Sequence, residues 1–298
     1  MGSYQNRIVV KKAYIKYLIA LLLFGSNGIV ASRISLNSCE IVLLRTLIGS
    51  LLLMLIFLLQ RKPFDFIKHK KDLIFLVISS IAMGASWMFL YEAYKQVGVS
   101  LASLAYYCGP IIVMILSPVI FHEKFIWPQI AGFLCVLIGI FLVNGQAIQD
   151  GNRNLGLICG AMSAIMYALM IIFNKKVAKI TGFENSLLQL TISFLTVAIF
   201  VGTKQGFAMS IASSDWVPIF ILGIINTGIG CFLYFSSIGF LSVHTVAVCG
   251  YLEPLSAVVF SVIFLQEKMQ QIQIIGAVMI LGGAVFGEVF KKNKRIQS

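Results

Sequence analysis

Long apolar segments separated by short polar connections run through the whole chain. The segment at residues 274–285, for example, is apolar on every face of a helix, which is typical of a helix surrounded by lipid. A bilayer core about 30 Å thick takes about 20 apolar residues to cross as a helix, and lipid admits no open sheet edge. The pattern predicts an all-α membrane protein with ten transmembrane helices. The predicted spans are residues 14–34, 39–60, 73–95, 101–121, 128–147, 155–175, 186–205, 216–238, 245–266 and 272–290.

Composition and charge agree with this pattern. Hydrophobic residues make up 59% of the chain and charged residues 11%, against about 25% charged residues in soluble domains. With the N-terminus inside, 17 of the 23 lysines and arginines lie in inner segments and 5 in outer connections. The positive-inside rule then predicts that both termini are cytoplasmic. This distribution accounts for the net charge of +12 without a nucleic-acid partner.

The two halves of the chain resemble each other at a constant offset of 144 positions. Since each half holds five predicted spans, the second half must enter the membrane from the opposite side. The sequence therefore predicts two inverted repeats, residues 1–150 and 151–298, an arrangement common among secondary transporters. The equivalent pairs include Pro110 and Pro254, Glu123 and Glu267, Lys124 and Lys268, Gly132 and Gly276, and Gly139 and Gly283.

Several short motifs resemble a known family. They are FGSN at residues 24–27, residues 40–45, LYEA at 90–93, SLASL at 100–104, the stretch from Pro110 to Lys124 and YLEPL at 251–255, followed by glycines 276, 282 and 283. In this order the sequence resembles an EamA-type member of the drug/metabolite transporter superfamily over nearly its whole length. The resemblance implies ten helices in two inverted five-helix repeats. It also implies movement of amino acids or other small metabolites, often outward.

Glu253 is the most informative single residue. It lies about eight residues into a predicted helix, which at about 1.5 Å per residue is roughly 12 Å deep. A charged side chain at a helix centre costs about 2.5–3.5 kcal/mol on insertion scales, so such residues usually mark a solute pathway or a proton relay. Glu253 is predicted to carry a proton or to oppose a cationic group. The alternative is a structural hydrogen bond near Pro254.

Two prolines and one arginine accompany it. Pro110 and Pro254 remove backbone donors in their helices, which predicts kinks that act as gates or, alternatively, static bends. Arg45 is also placed within a span. The favoured interpretation is that it reaches the outer headgroups or pairs with Glu40; pairing with Glu253 or with a solute carboxylate is the alternative.

Aromatic and amide side chains at mid-span depth predict a solute pocket. Stacking on such aromatic rings would suit an apolar or cationic solute, whereas ordinary packing is the alternative for each residue alone. The predicted solute-binding residues are Asn27, Trp87, Tyr91, Tyr107, Asn226, Tyr234, Tyr251 and Glu253.

Other kinds of chemistry have no support in the sequence. The chain has no G-x-x-x-x-G-K-[ST] phosphate loop and no H-E-x-x-H zinc motif, and its six cysteines form no C-x-x-C pair. We therefore predict no enzymatic activity, no cofactor and no metal site.

The function predicted from the sequence is secondary transport of small metabolites across the plasma membrane. The leading hypothesis is an exporter of amino acids or related compounds that works by alternating access, coupled to protons through Glu253 or running downhill. Uptake of a small organic cation is the first alternative. A membrane sensor or assembly subunit without transport is the second. The expected partners are the solute, the lipid bilayer and protons, and a homodimer is compatible with the sequence.

Overall fold

The computed structural model describes residues 2–60, 66–106, 108–121, 127–149, 154–250, 252–266 and 270–296. These residues form helices and connections, with no β-strand among them. The helices are α1 (Gly2–Gly25), α2 (Asn27–Ala31), α3 (Ser38–Gln60), α4 (Lys70–Val97), α5 (Val99–Tyr106), α6 (Cys108–Phe121), α7 (Trp127–Gln149), α8 (Asn154–Lys176), α9 (Gly182–Lys204), α10 (Trp216–Phe220), a π-helical segment (Ile221–Ile229), α11 (Gly230–Ile238), α12 (Val243–Gly250), α13 (Leu252–Phe264) and α14 (Gln271–Ile296).

Seven helical stretches of the described chain are long and apolar enough to cross a membrane. Three shorter apolar helices, Ile130–Gly139, Leu255–Phe264 and Gln271–Ile280, overlap the predicted fifth, ninth and tenth spans. The predicted class, an all-helical membrane protein, is confirmed. The count of ten spans and the location of the termini stay predictions.

The distribution of polar residues on α3 shows how the bundle faces its surroundings. Leu51, Leu55 and Leu58 are 59%, 56% and 61% exposed, whereas Arg45 and Thr46 on the same helix are buried. Large apolar side chains therefore point outward and polar ones inward. This polarity suits a lipid environment, where intramembrane polar groups face the protein interior.

Helices α7 and α14, which occupy equivalent positions in the two halves, pack closely through glycines. A Cβ added to Gly139 would lie 2.6 Å from the carbonyl oxygen of Gly276, and one added to Gly283 would lie 2.5 Å from that of Gly132. Small residues permit such close backbone approach between helices in membranes. Since the later residue of one helix meets the earlier residue of the other, the two helices run antiparallel.

The equivalent helices α3 and α9 are also antiparallel. The Asn37 amide, just before α3, approaches Gln205, just after α9, to 3.5 Å. At the other end, the ring of Phe57 stacks on that of Phe183 with centroids 6.2 Å apart. Equivalent helices that run in opposite directions are what an inverted repeat requires.

A buried group of amides and hydroxyls, which we call the amide network, joins α4, α8 and α9. The Asn174 amide donates to Asn185 at 3.0 Å and to Gln189 at 3.1 Å. Gln189 also donates to Ser79 at 3.0 Å and accepts from Ser80 at 3.2 Å. Hydrogen bonds of this kind hold helices together where lipid supplies no partner.

Candidate functional site

A central cavity is lined by residues of six helices, α1, α4, α5, α8, α11 and α13. Six of its lining side chains are aromatic and one, Glu253, is a carboxylate that is 7% exposed. Aromatic faces thus cover most of its wall. The lining residues are Phe24, Met83, Trp87, Tyr106, Tyr167, Met170, Tyr234, Phe235 and Glu253.

Glycine on α1 sets the position of Glu253. A Cβ added to Gly25 would lie 2.7 Å from the carbonyl oxygen of Glu253 and 1.8 Å from Oγ of Ser256. The Ser256 hydroxyl in turn donates to the same Glu253 carbonyl at 2.8 Å. The first turn of α13 therefore rests directly on the end of α1, which places the carboxylate at the cavity wall.

The aromatic wall is built from rings in mutual contact. The ring of Tyr234 lies 5.2 Å from that of Tyr17 and 5.0 Å from that of Phe235, and Tyr106 meets Tyr167 edge-on at 5.0 Å. The Tyr17 hydroxyl donates to the Val246 carbonyl at 2.8 Å. In contrast, the buried hydroxyls of Tyr167 and Tyr234 have no hydrogen-bond partner within the described chain.

Arg45 lies behind this wall and is 1% exposed. Its Nε donates to Oγ1 of Thr227 at 2.8 Å, and its Nη1 donates to the Tyr91 hydroxyl. The guanidinium also lies over two rings, 4.2 Å from the centroid of Trp87 and 5.1 Å from that of Tyr91. Its charge acts on the Glu253 carboxyl. A permanent cation on α3 is therefore held beside the cavity by side chains of two other elements, α4 and the π-helical segment.

This geometry corrects the favoured interpretation of Arg45. An arginine that reached the headgroups would be exposed, whereas the Arg45 side chain is almost fully buried. Glu40 does not pair with it, because the Glu40 carboxylate instead accepts the backbone N–H of Asn37 at 3.0 Å. The interpretation that Arg45 reaches the headgroups or pairs with Glu40 was wrong, because the Arg45 side chain points inward, toward partners on helices distant in sequence.

The π-helical segment supplies two of the polar side chains near the site. Thr227 donates to the Leu222 carbonyl, five residues earlier, at 2.7 Å, and accepts from Arg45. The Asn226 amide lies 2.9 Å from the Leu23 carbonyl and 3.1 Å from Oδ1 of Asn27. π-Helical turns are frequent at functional sites. Here Asn226 contacts the residues at the break between α1 and α2, and the next residue, Thr227, contacts the guanidinium of Arg45.

The structure brings together some of the predicted solute-binding residues. Trp87, Tyr234 and Glu253 line one cavity. Tyr91 is not among the described lining residues; its hydroxyl accepts from Arg45, which lies over Trp87. Asn27 and Asn226 bond to each other and are absent from the described lining.

The remaining predicted residues are less well defined. Tyr107 and Tyr251 lie outside the described residues. Pro110 and Pro254 are each the third residue of a described helix, α6 and α13, and their gating role stays a prediction.

Sequence reasoning missed several lining residues. Tyr167 on α8 is one of them, and a Cβ added to Gly109 would lie 2.6 Å from its ring. The sequence did contain a signal for Tyr167, because a tyrosine in the middle of an apolar span places a polar hydroxyl inside the membrane. Phe24 and Phe235 carried no such signal, because phenylalanine is ordinary in any membrane helix.

A second, larger cavity lies at the end of α8, the start of α9 and the end of α11. Phe235 lines both this cavity and the central one. One side chain therefore stands between the two spaces. The other lining residues are Asn174, Lys175, Val177, Ala178, Thr181, Gly182, Asn185, Ser236, Gly239 and Phe240.

No group of three or more metal-ligating side chains occurs in the part of the chain that the structure describes. The polar groups that line the central cavity are tyrosine hydroxyls and a carboxylate, and the guanidinium of Arg45 lies behind Trp87. This set suits the binding of a small charged or polar organic molecule better than it suits a transition metal.

Comparisons with known proteins agree with the fold. The uncharacterized transporter YxxF of Bacillus subtilis (strain 168) is 25% identical over 285 residues, which cover 95% of this chain and 91% of that protein. The uncharacterized transporter YetK of the same organism is 23% identical, with 96% and 90% covered. A solved crystal structure at 18% identity superposes with a TM-score of 0.72 over 94% of this chain and 98% of the other, which shows a shared fold.

The family comparison covers both halves of the chain. The model of the EamA-like transporter family matches at residues 11–145 and again at 154–287. The resemblance found in the sequence motifs is thus confirmed. The chain belongs to the EamA-like transporter family.

Proposed function

We propose that this protein is a secondary transporter that exports amino acids or related small metabolites across the plasma membrane by alternating access. The observation that carries the proposal is the buried central cavity, whose wall combines six aromatic rings with the Glu253 carboxylate. A buried carboxylate in a membrane bundle is costly in free energy, and such residues usually mark a solute or proton pathway. Aromatic faces beside it suit an ammonium group or an apolar side chain.

The proposed architecture is ten helices in two inverted repeats with both termini in the cytoplasm. Its support is the antiparallel packing of α7 on α14 and of α3 on α9. A solute site at the interface of two such repeats can face either side as the halves rock. In this arrangement the larger cavity faces the cytoplasm, and Phe235 separates it from the central site.

The proposed coupling uses Glu253 as a shared binding group. The carboxylate binds the ammonium group of the solute in one state and a proton in the other. Because the two ligands compete for one carboxylate, outward movement of the solute is linked to inward movement of a proton. The close packing of aromatic rings around the cavity restricts the solute to a small molecule.

The test is proton flux into liposomes that hold the purified protein and an internal pH dye. A panel of amino acids, polyamines and quaternary amines is supplied to wild type, to Glu253→Gln and to Glu40→Gln. We expect amino acids to drive proton movement in wild type and in the Glu40 variant, whose glutamine can keep the contact with Asn37, but not in the Glu253 variant.

Other outcomes separate the alternatives. Solute flux without proton flux would contradict coupling and indicate a facilitator. Inward movement of quaternary amines alone would favour uptake of an organic cation, for which the aromatic wall and Glu253 are equally suited. A folded protein that moves no compound in the panel would contradict transport and favour a sensor or an assembly subunit.

A further inference from the structure

The guanidinium of Arg45 has an unused hydrogen-bonding edge. Arginine carries five N–H donors and stays charged at any physiological pH. Nε and Nη1 donate to the hydroxyls of Thr227 and Tyr91, whereas Nη2 is buried and has no acceptor within the described chain. Neutral hydroxyls satisfy donors but do not neutralise a charge. The site therefore lacks an anionic acceptor on one side.

An unsatisfied charged donor is costly inside a membrane protein. Buried polar groups are almost always paired, and the exceptions usually mark a missing ion or a functional role. A charge near the bilayer centre raises the cost further. A bundle that only needed packing at this position would be more stable with an apolar residue. The arginine is thus better explained by a ligand than by stability.

The arrangement of neighbours indicates where such a ligand would come from. Trp87 lines the central cavity and lies 4.2 Å from the guanidinium. A single indole ring thus contacts both the cavity and the cation. Glu253 lies on the wall of the same cavity as Trp87. A molecule in the cavity would meet a negative group on one wall and a positive group behind Trp87.

We propose that Nη2 of Arg45 binds the carboxylate group of the transported solute, with Trp87 turning aside to admit it. The proposal rests on the proposed transport function and names its solute class: compounds that carry a carboxylate together with a cationic or apolar part. A guanidinium matches a carboxylate in charge and in planar shape. The cationic part of the same solute then faces Glu253. A bare amine would be disfavoured, because Arg45 repels it.

The first experiment compares matched solutes. The twenty standard amino acids, their primary amides and their decarboxylated amines are each offered to liposomes with wild type, Arg45→Gln, Arg45→Lys or Arg33→Gln. Arg33 is an exposed arginine in the connection after α2 and provides the control. We expect wild type and the Arg33 variant to carry at least one amino acid and to reject its amide and amine. Both Arg45 variants should raise the KM for that amino acid by about 10- to 100-fold.

A second experiment does not depend on the stability of an Arg45 variant. The chain has three tryptophans, and Trp127 and Trp216 are 80% and 43% exposed. Replacing both by phenylalanine leaves Trp87 as the single fluorophore. Binding of a carboxylate at Arg45 should shift its emission, and the corresponding amide at equal concentration should leave it unchanged.

The outcomes are distinct. Transport of amines or amides at the same rate in wild type and Arg45→Gln would overturn the carboxylate site and leave the transport function standing. Equal Trp87 emission changes with acid and amide would also overturn it. No flux of any compound would instead contradict the transport function, and the carboxylate site would fall with it.

Discussion

Two buried polar regions of this bundle, the amide network and the surroundings of Arg45, differ in how completely their hydrogen-bonding groups are paired. In the amide network the side chain of Gln189 donates to Ser79 and accepts from Asn174 and Ser80, so both its donor and its acceptor groups have partners. Around Arg45 the donors outnumber the acceptors, and Nη2 is left without one. The first region is complete without a ligand and the second is not. Completeness therefore separates a structural polar cluster from a binding one, although both look alike in sequence.

The largest effect is expected from a substitution of Arg45, in the region whose hydrogen-bonding groups are incompletely paired. Arg45→Gln should reduce solute flux by about 100-fold, because charge-assisted hydrogen bonds to the carboxylate are lost. The midpoint of thermal unfolding in detergent should change far less than the flux, because glutamine can still donate to Thr227 or Tyr91 and leaves no buried charge. Flux and unfolding are measured on the same preparation. A variant that unfolds early yet transports normally when folded would reverse the assignment.

The matching change in the amide network should have the opposite outcome. Gln189→Leu removes three hydrogen bonds to neighbouring helices, and intramembrane hydrogen bonds average about 0.6 kcal/mol each. We expect unfolding to become easier by about 2 kcal/mol, with the KM of the folded protein unchanged. Denaturant titration and flux assays check both parts. An altered KM would show that this region also takes part in binding.

A pair of tyrosines in contact makes the same comparison on a smaller scale. The Tyr17 hydroxyl donates to the Val246 carbonyl, whereas the buried Tyr234 hydroxyl has no partner within the described chain. Tyr17→Phe should lower the free energy of unfolding by about 1 kcal/mol. Tyr234→Phe should leave it unchanged or raise it slightly, while weakening solute binding. Equal destabilisation by both changes would count against a free hydroxyl at Tyr234.

The smallest expected effect concerns the residue that orients the guanidinium. Thr227→Val removes the acceptor at Nε but leaves the charge in place. We expect the KM for the transported amino acid to rise about threefold, since the charge of Arg45 stays in place and only one of the bonds that orient its guanidinium is lost. The maximal rate of transport should change little. A loss as large as that of Arg45→Gln would mean that Thr227 itself contacts the solute.

The helices of this fold were predictable because hydropathy alone marks a span in lipid. The equivalence of Gly132 with Gly276 and of Gly139 with Gly283 was also visible as a repeat in the sequence. The structure adds that Gly139 meets Gly276 and Gly283 meets Gly132. An offset in sequence relates equivalent residues but does not say which of them touch. That depends on the relative direction of the helices.

The site was predicted less completely, for a physical reason. Depth along a helix can be read from sequence, which is how Glu253 was found. The side to which Arg45 points depends on Thr227, 182 positions away, and on a π-helical turn that has no clear sequence signature. Hydrogen-bond partners chosen across such distances are properties of the packed bundle.

The glycine contacts of α7 and α14 have a consequence for how the two halves recognise each other. Each contact occurs twice, once in each direction, as in a two-fold symmetric dimer whose subunits present the same patch to each other. Here both copies belong to one polypeptide, so their encounter is intramolecular and occurs at a high effective concentration. The interface can therefore remain modest in intrinsic affinity and still be formed at all times. An interface that separates locally at little cost in free energy suits the proposed rocking of the two halves.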